Sequence, residues 1–101
     1  MSVVVILHFD VADVSAAKQS LADNAALLDE ISGDAKGHGA RHHRFTANSG
    51  GLVVVDEWDS AEGFQRFFDG NDKVARVTAA AGVKGPPTIE ILEPVEAAGT
   101  F

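Results

Sequence analysis

The residues of this chain whose types suit proton chemistry are His8, His43 and Asp56. An imidazole titrates near neutral pH, and a carboxylate beside it orients the ring and favours its charged form, as a general base requires. Trp58 follows Asp56 by two positions, and Arg41 precedes His43 by two. On a strand each of these pairs shares one face, because side chains alternate with a period of two. Trp58 then offers a flat platform to a substrate, with Arg41, Ile6 and Val54 as further contacts. An apolar wall of this kind gives a histidine–carboxylate pair a dry pocket.

Each of these residues also has a plainer reading. His43 opposite Asp56 is equally a structural cross-strand ion pair, and His8 a lone histidine at the end of a core strand. Trp58 can be packing alone. Two imidazoles and a carboxylate can hold zinc or non-haem iron. No local spacing motif supports a metal here, and neither metal nor cofactor is assigned. The chain also lacks a phosphate loop, a glycine-rich dinucleotide fingerprint and a nucleophile turn around serine.

The elements that must position these groups follow from apolar periodicity. Val3 to Asp10 is apolar on both faces for most of its length, as in a central strand. A helix is expected from about Ser15 to Ser32, with Asp13 or Ser15 as cap, Ala17, Leu21, Ala25, Leu28 and Ile31 on one stripe, and Gly33 as its end. His38 to Ala47 is polar on both faces and reads as an edge strand. Asn48-Ser49-Gly50-Gly51 is a hairpin signal. Leu52 to Trp58 is the next strand.

A turn centred on Ser49 and Gly50 sets His43 opposite Asp56, Arg41 opposite Trp58 and His42 opposite Glu57. Each is a favourable pair worth ~0.2–1 kcal/mol. Ser60 then caps a helix to about Asp69, with Phe64, Phe67 and Phe68 buried on one face. Asp72 starts a further helix to Ala81, with Val74 and Val77 inward and Gly82 at its end. Thr88 to Glu93 is the last strand, limited by Pro94.

With 101 residues the chain suits one domain, taken as 1–96 with a C-terminal tail at 97–101. The order β-α-β-β-α-β predicts an α+β, ferredoxin-like fold: an antiparallel four-stranded sheet of order 4-1-3-2 with helices on one face. The halves echo each other, VVVILHFD and LVVVDEWD each preceding a helix. The face away from the helices is expected to carry Val4, Ile6, Val54, Trp58 and Leu92 together with His8, His43, Asp56 and Glu90. An apolar patch of that size marks an interface. A homodimer packed sheet to sheet into a barrel would cover it, with the pocket on that face.

The formal charge of −7 argues against a nucleic-acid partner, which needs a basic surface. The segment KGHGARHHR (36–44) concentrates Lys36, Arg41, Arg44 and three of the four histidines, as a solvated edge or as a meeting point for an anion. There are no cysteines, which excludes disulfides and thiolate chemistry and fits a reducing compartment. The apolar start, MSVVVILHFD, has no basic segment before it and is too short to span a bilayer, so a cytoplasmic protein without membrane attachment is expected.

Val55-Asp56-Glu57-Trp58-Asp59-Ser60-Ala61-Glu62 resembles the third strand, tryptophan and helix start of the antibiotic-biosynthesis-monooxygenase-like proteins, within the dimeric α/β-barrel superfamily. The resemblance runs along the whole chain. It implies a pocket role for Trp58 and places His8 where several members carry a polar residue. Phe67 stands where many members have a histidine. Asp72 to Gly82 lacks the histidine that ligates iron in the haem-degrading branch. The resemblance implies a cofactor-independent monooxygenase-like enzyme acting on a small aromatic or polyketide-like substrate. The alternatives are a non-catalytic dimer that binds a small hydrophobic or aromatic ligand or a partner protein, and a dimer packed solid with no pocket.

Overall fold

A computed structural model describes residues 2–101. The order is β1 (Val3–Asp10), α1 (Val14–Asp23), α2 (Ala25–Gly37), β2 (Ala40–Asn48), β3 (Gly51–Trp58), α3 (Ala61–Phe68), α4 (Asp72–Ala80) and β4 (Thr88–Leu92). The sheet has the order β2-β3-β1-β4 and every pair is antiparallel. This is the expected ferredoxin-like order with each helix doubled. The two most apolar strands lie at the centre, where neighbours on both sides satisfy their backbone groups.

The helices differ from the expected long first helix. Asn24 leaves helical geometry and its side-chain amide donates to the Ser20 carbonyl at 2.8 Å, separating α1 from α2. Asparagine competes with the helix for backbone partners in this way. Gly33 does not end α2, which runs on to Gly37; no contact at Gly33 forces a break, so its cost is only the usual ~1 kcal/mol against alanine. Lys73 on α4 ties back to α2 through Asp34 at 2.9 Å. The hydrogen bond to Asp34 holds its ammonium above the usual lysine range.

The tryptophan strand is phased opposite to expectation. In the β1–β3 register Val5 lies opposite Asp56, Leu7 opposite Val54 and Val3 opposite Trp58. Residues directly opposite share a face, so the odd-numbered set of β1 belongs with the even-numbered set of β3. That shared face is the one under the helices: Val5, Leu7, Phe9, Leu52, Val54 and Trp58 are all buried. Trp58 is only 1% exposed and packs against Phe64 and Phe67 with ring centroids 5.4 and 5.3 Å away.

The open face therefore carries Val4, Ile6 and His8 from β1, Val53, Val55 and Glu57 from β3, and Glu90 and Leu92 from β4. Val54, Asp56 and Trp58 are not on it. The face remains apolar at its centre and is flanked by His8–Glu90 at 3.2 Å and His42–Glu57 at 3.6 Å.

Helix α3 holds the other side of Trp58 in place. Ser60 caps it by accepting from the Gly63 amide at 3.0 Å. Gly63 lets the first turn approach the C-terminal end of α2, since a Cβ there would lie 2.3 Å from the carbonyl oxygen of its capping residue, His38. Phe64 and Phe67 are buried, and Phe68 stacks on Phe64 at 5.3 Å.

Candidate functional site

Between sheet and helices lies a cavity of about 400 Å³. That is within the range of small-molecule sites. Its sheet side includes Leu7, Val54 and Trp58, and its helix side Leu28, Ile31 and Phe68. Leu21, Leu28 and Ile31 of α1 and α2 fall on the predicted stripe; Leu21 and Ile31 are half-buried rather than packed shut. This half-filled layer leaves the space.

The wall is mostly apolar, and its central polar feature is one linked group. His43 Nδ1 is 2.6 Å from Asp56 Oδ1, and Trp58 Nε1 donates to Asp56 Oδ2 at 3.2 Å. Asp56 is the one buried charged residue among those described, 6% exposed. A buried carboxylate needs hydrogen-bond partners on its oxygens, and here each oxygen has one. An ionised carboxylate only accepts, so the proton of neutral His43 sits on Nδ1 and Nε2 is left as the acceptor. The His43 ring also meets Phe45 edge-on at 4.6 Å. Its side chain is 44% exposed, at the rim rather than deep in the cavity.

The predicted pairings on the hairpin hold at His43–Asp56 and His42–Glu57 but not at Arg41. The ladder shifts between Ala40 and His42, so Ala40 lies opposite Trp58 and Arg41 is the extra residue of a bulge. Bulges re-aim side chains. Arg41 reaches the cavity edge and pairs with Asp59.

The structure thus brings together His43, Asp56, Trp58, Val54 and Arg41. It does not bring in His8 or Ile6, which lie on the opposite face of the sheet; His8 is engaged by Glu90 at 3.2 Å. A metal trio of His8, His43 and Asp56 is accordingly not assembled, and the described residues contain no group of three potential ligands arranged for a metal. The residues that sequence reasoning left out of the site are Leu28, Phe68 and the rest of the helical wall. Their helical spacing was readable; that they enclose a void was not.

Neither a protein-family model nor a curated protein sequence matches the chain. Solved structures do. A monooxygenase of Streptomyces coelicolor (ActVA-Orf6), solved with nanaomycin D, superposes with a TM-score of 0.67 at 18% identity, covering 99% of this chain and 92% of that one. SnoaB, a cofactor-independent oxygenase from Streptomyces nogalater, gives 0.64 at 12% identity over 98% of both chains. A dimeric ferredoxin-like protein from an uncultured marine organism gives 0.68 at 15% identity, over 98% of this chain and 93% of that one. The chain therefore shares the fold found in antibiotic-biosynthesis-monooxygenase-like proteins. None of its described helices is long and apolar enough to cross a membrane.

Proposed function

We propose that the protein is a monooxygenase-like enzyme that takes a small aromatic or polyketide-like substrate into the cavity and uses His43 as its base. The observation that carries this reading is the His43–Asp56 pair, set at the rim of a mostly apolar space of about 400 Å³. The likeness of fold to two oxygenases supports it.

In the proposed reaction, His43 Nε2 removes a proton from an activated ring methylene, and Asp56 stabilises the imidazolium. The carbanion's electron pair forms a C–O bond with dioxygen, and the proton returns to the resulting peroxide. Loss of the second hydrogen as a proton then breaks the O–O bond, leaving a carbonyl on the substrate and hydroxide. That proton and the hydroxide combine as water, so the carbon is oxidised and dioxygen reduced with no further reductant. Val54 and the ring of Trp58 are substrate contacts, and Arg41 lies at the entrance. This chemistry requires no cofactor.

The open face supports a homodimer. Val55 and Leu92 are 37% and 41% exposed on a single chain, and a second copy is the simplest cover for them. A dimeric ferredoxin-like protein of the same fold supports the same arrangement. The cavity lies on the other side of the sheet, so each protomer holds its own. We place the protein in the cytoplasm, in keeping with its lack of cysteine.

The test is oxygen uptake by purified protein supplied with anthrone-type or quinol substrates. Turnover that falls at least a hundredfold in His43→Ala supports the reading. Equal turnover in both proteins sinks it. A substrate-dependent rise in Tm without oxygen uptake would instead indicate a non-catalytic binder.

A further inference from the structure

Trp58 stands in the cavity wall, yet its one polar atom does not serve the cavity. The indole N–H is directed at Asp56 Oδ2. Its ring is fixed between Phe64 and Phe67, and the residue is 1% exposed. Asp56 is thereby held from both sides, by Trp58 at 3.2 Å and by His43 at 2.6 Å. A carboxylate free to rotate could offer either oxygen in many directions; one pinned by a rigid donor offers the second oxygen in one direction only.

We propose that Trp58 is a positioning residue: its indole N–H fixes the orientation of Asp56, and through it that of His43, so that the nitrogen left free by the carboxylate, Nε2, is held in one direction. The constraint runs from the rigid aromatic layer outward, from Phe64 and Phe67 to Trp58, Asp56 and the half-exposed imidazole. The edge of Phe45, which the His43 ring also meets, offers it no hydrogen bond. The inference rests on the proposed role of His43 as base, but its central observable is the proton position on His43, which is measurable without turnover.

The decisive variants are Asp56→Asn, Trp58→Phe and the two combined, in the full chain. In Asp56→Asn with Trp58 intact, the indole N–H requires the oxygen of the new amide, which turns the amide NH₂ toward His43. Nδ1 must then accept, and the proton moves to Nε2. Removing the indole N–H as well frees the amide to rotate and accept again from Nδ1–H. Phenylalanine keeps an aromatic ring against Phe64 and Phe67.

Imidazole nitrogen-15 spectra of labelled protein read the tautomer directly, with His43→Gln supplying the assignment among the four histidines. The expected result is Nδ1–H in the wild type, Nε2–H in Asp56→Asn, and recovery of Nδ1–H in the double variant. Where turnover is measurable, the double variant should exceed Asp56→Asn in kcat. Trp58→Phe alone should lower kcat on the order of tenfold with KM little changed, the usual scale for an outer partner of a functional histidine.

A tautomer that is the same in Asp56→Asn and the double variant overturns the inference. So does a Trp58→Phe variant that raises KM alone, which would leave Trp58 a substrate contact and nothing more, or one that lowers Tm and leaves kcat unchanged. If the spectra behave as expected and no substrate is turned over, the positioning stands and the assignment of an oxygenase falls.

Discussion

His43 and Asp56 face each other across the β2–β3 ladder with Nδ1 and Oδ1 2.6 Å apart, and they are unequally buried: the carboxylate is covered and the imidazole reaches the rim. That asymmetry suits a base. The carboxylate is desolvated by its burial, while the imidazole proposed as the base remains accessible.

His43 and His8 are therefore expected to part company on substitution. His43→Ala should abolish oxygen uptake and also lower stability by about 1–3 kcal/mol, because one buried oxygen of Asp56 loses its partner. His8→Ala, on the far side of the sheet, should leave kcat/KM within about twofold. Steady-state oxygen uptake and urea denaturation of the two variants check this.

Val54 and Val55 are adjacent in sequence and point to opposite faces of β3, 6% and 37% exposed. Val54→Asp should prevent stable folding, since an unpaired carboxylate in the core is too costly to retain. Val55→Asp should fold and shift the protein from dimer to monomer in sedimentation experiments. A folded Val54→Asp monomer would contradict this phasing of β3.

Gly63→Ala would place a methyl group 2.3 Å from the His38 carbonyl oxygen, a backbone atom that cannot rotate away. The first turn of α3 must shift, at a cost of roughly 1–3 kcal/mol typical of overpacking. Thermal unfolding reads the loss. Because α3 carries Phe64 and Phe67 against Trp58, the same variant should also change the emission of this single tryptophan.

Ser60→Ala removes the side-chain oxygen that accepts from the Gly63 amide. A lost N-cap costs about 1 kcal/mol. The Tm should fall by several degrees with kcat unchanged, since no atom of Ser60 belongs to the His43–Asp56–Trp58 group.

Much of the fold was legible because it depends on local signals. Ser60 before the phenylalanine face, and Asn48 to Gly51 between two extended runs, set α3 and the β2–β3 hairpin as expected. The pairing of His43 with Asp56 followed from that turn alone. Arg41 did not, because a bulge is a local slip made where β2 must leave the ladder and reach Gly39, whose carbonyl accepts from Asp59 at 2.8 Å. The break at Asn24 was missed for a similar reason: apolar spacing continues across it, and only the side-chain bond to Ser20 marks the stop.

By itself the sequence determined which residues alternate together on each strand, the hairpin register from the turn as far as His42, and the order of the four strands. It left undetermined how the alternation of β1 is phased against that of β3. Those strands are joined by no short turn, and both are apolar enough to face either way. Only packing decided it: Trp58 fills the space among Phe64 and Phe67, which draws Asp56 beneath the helices beside His43 and leaves His8 on the other side of the sheet.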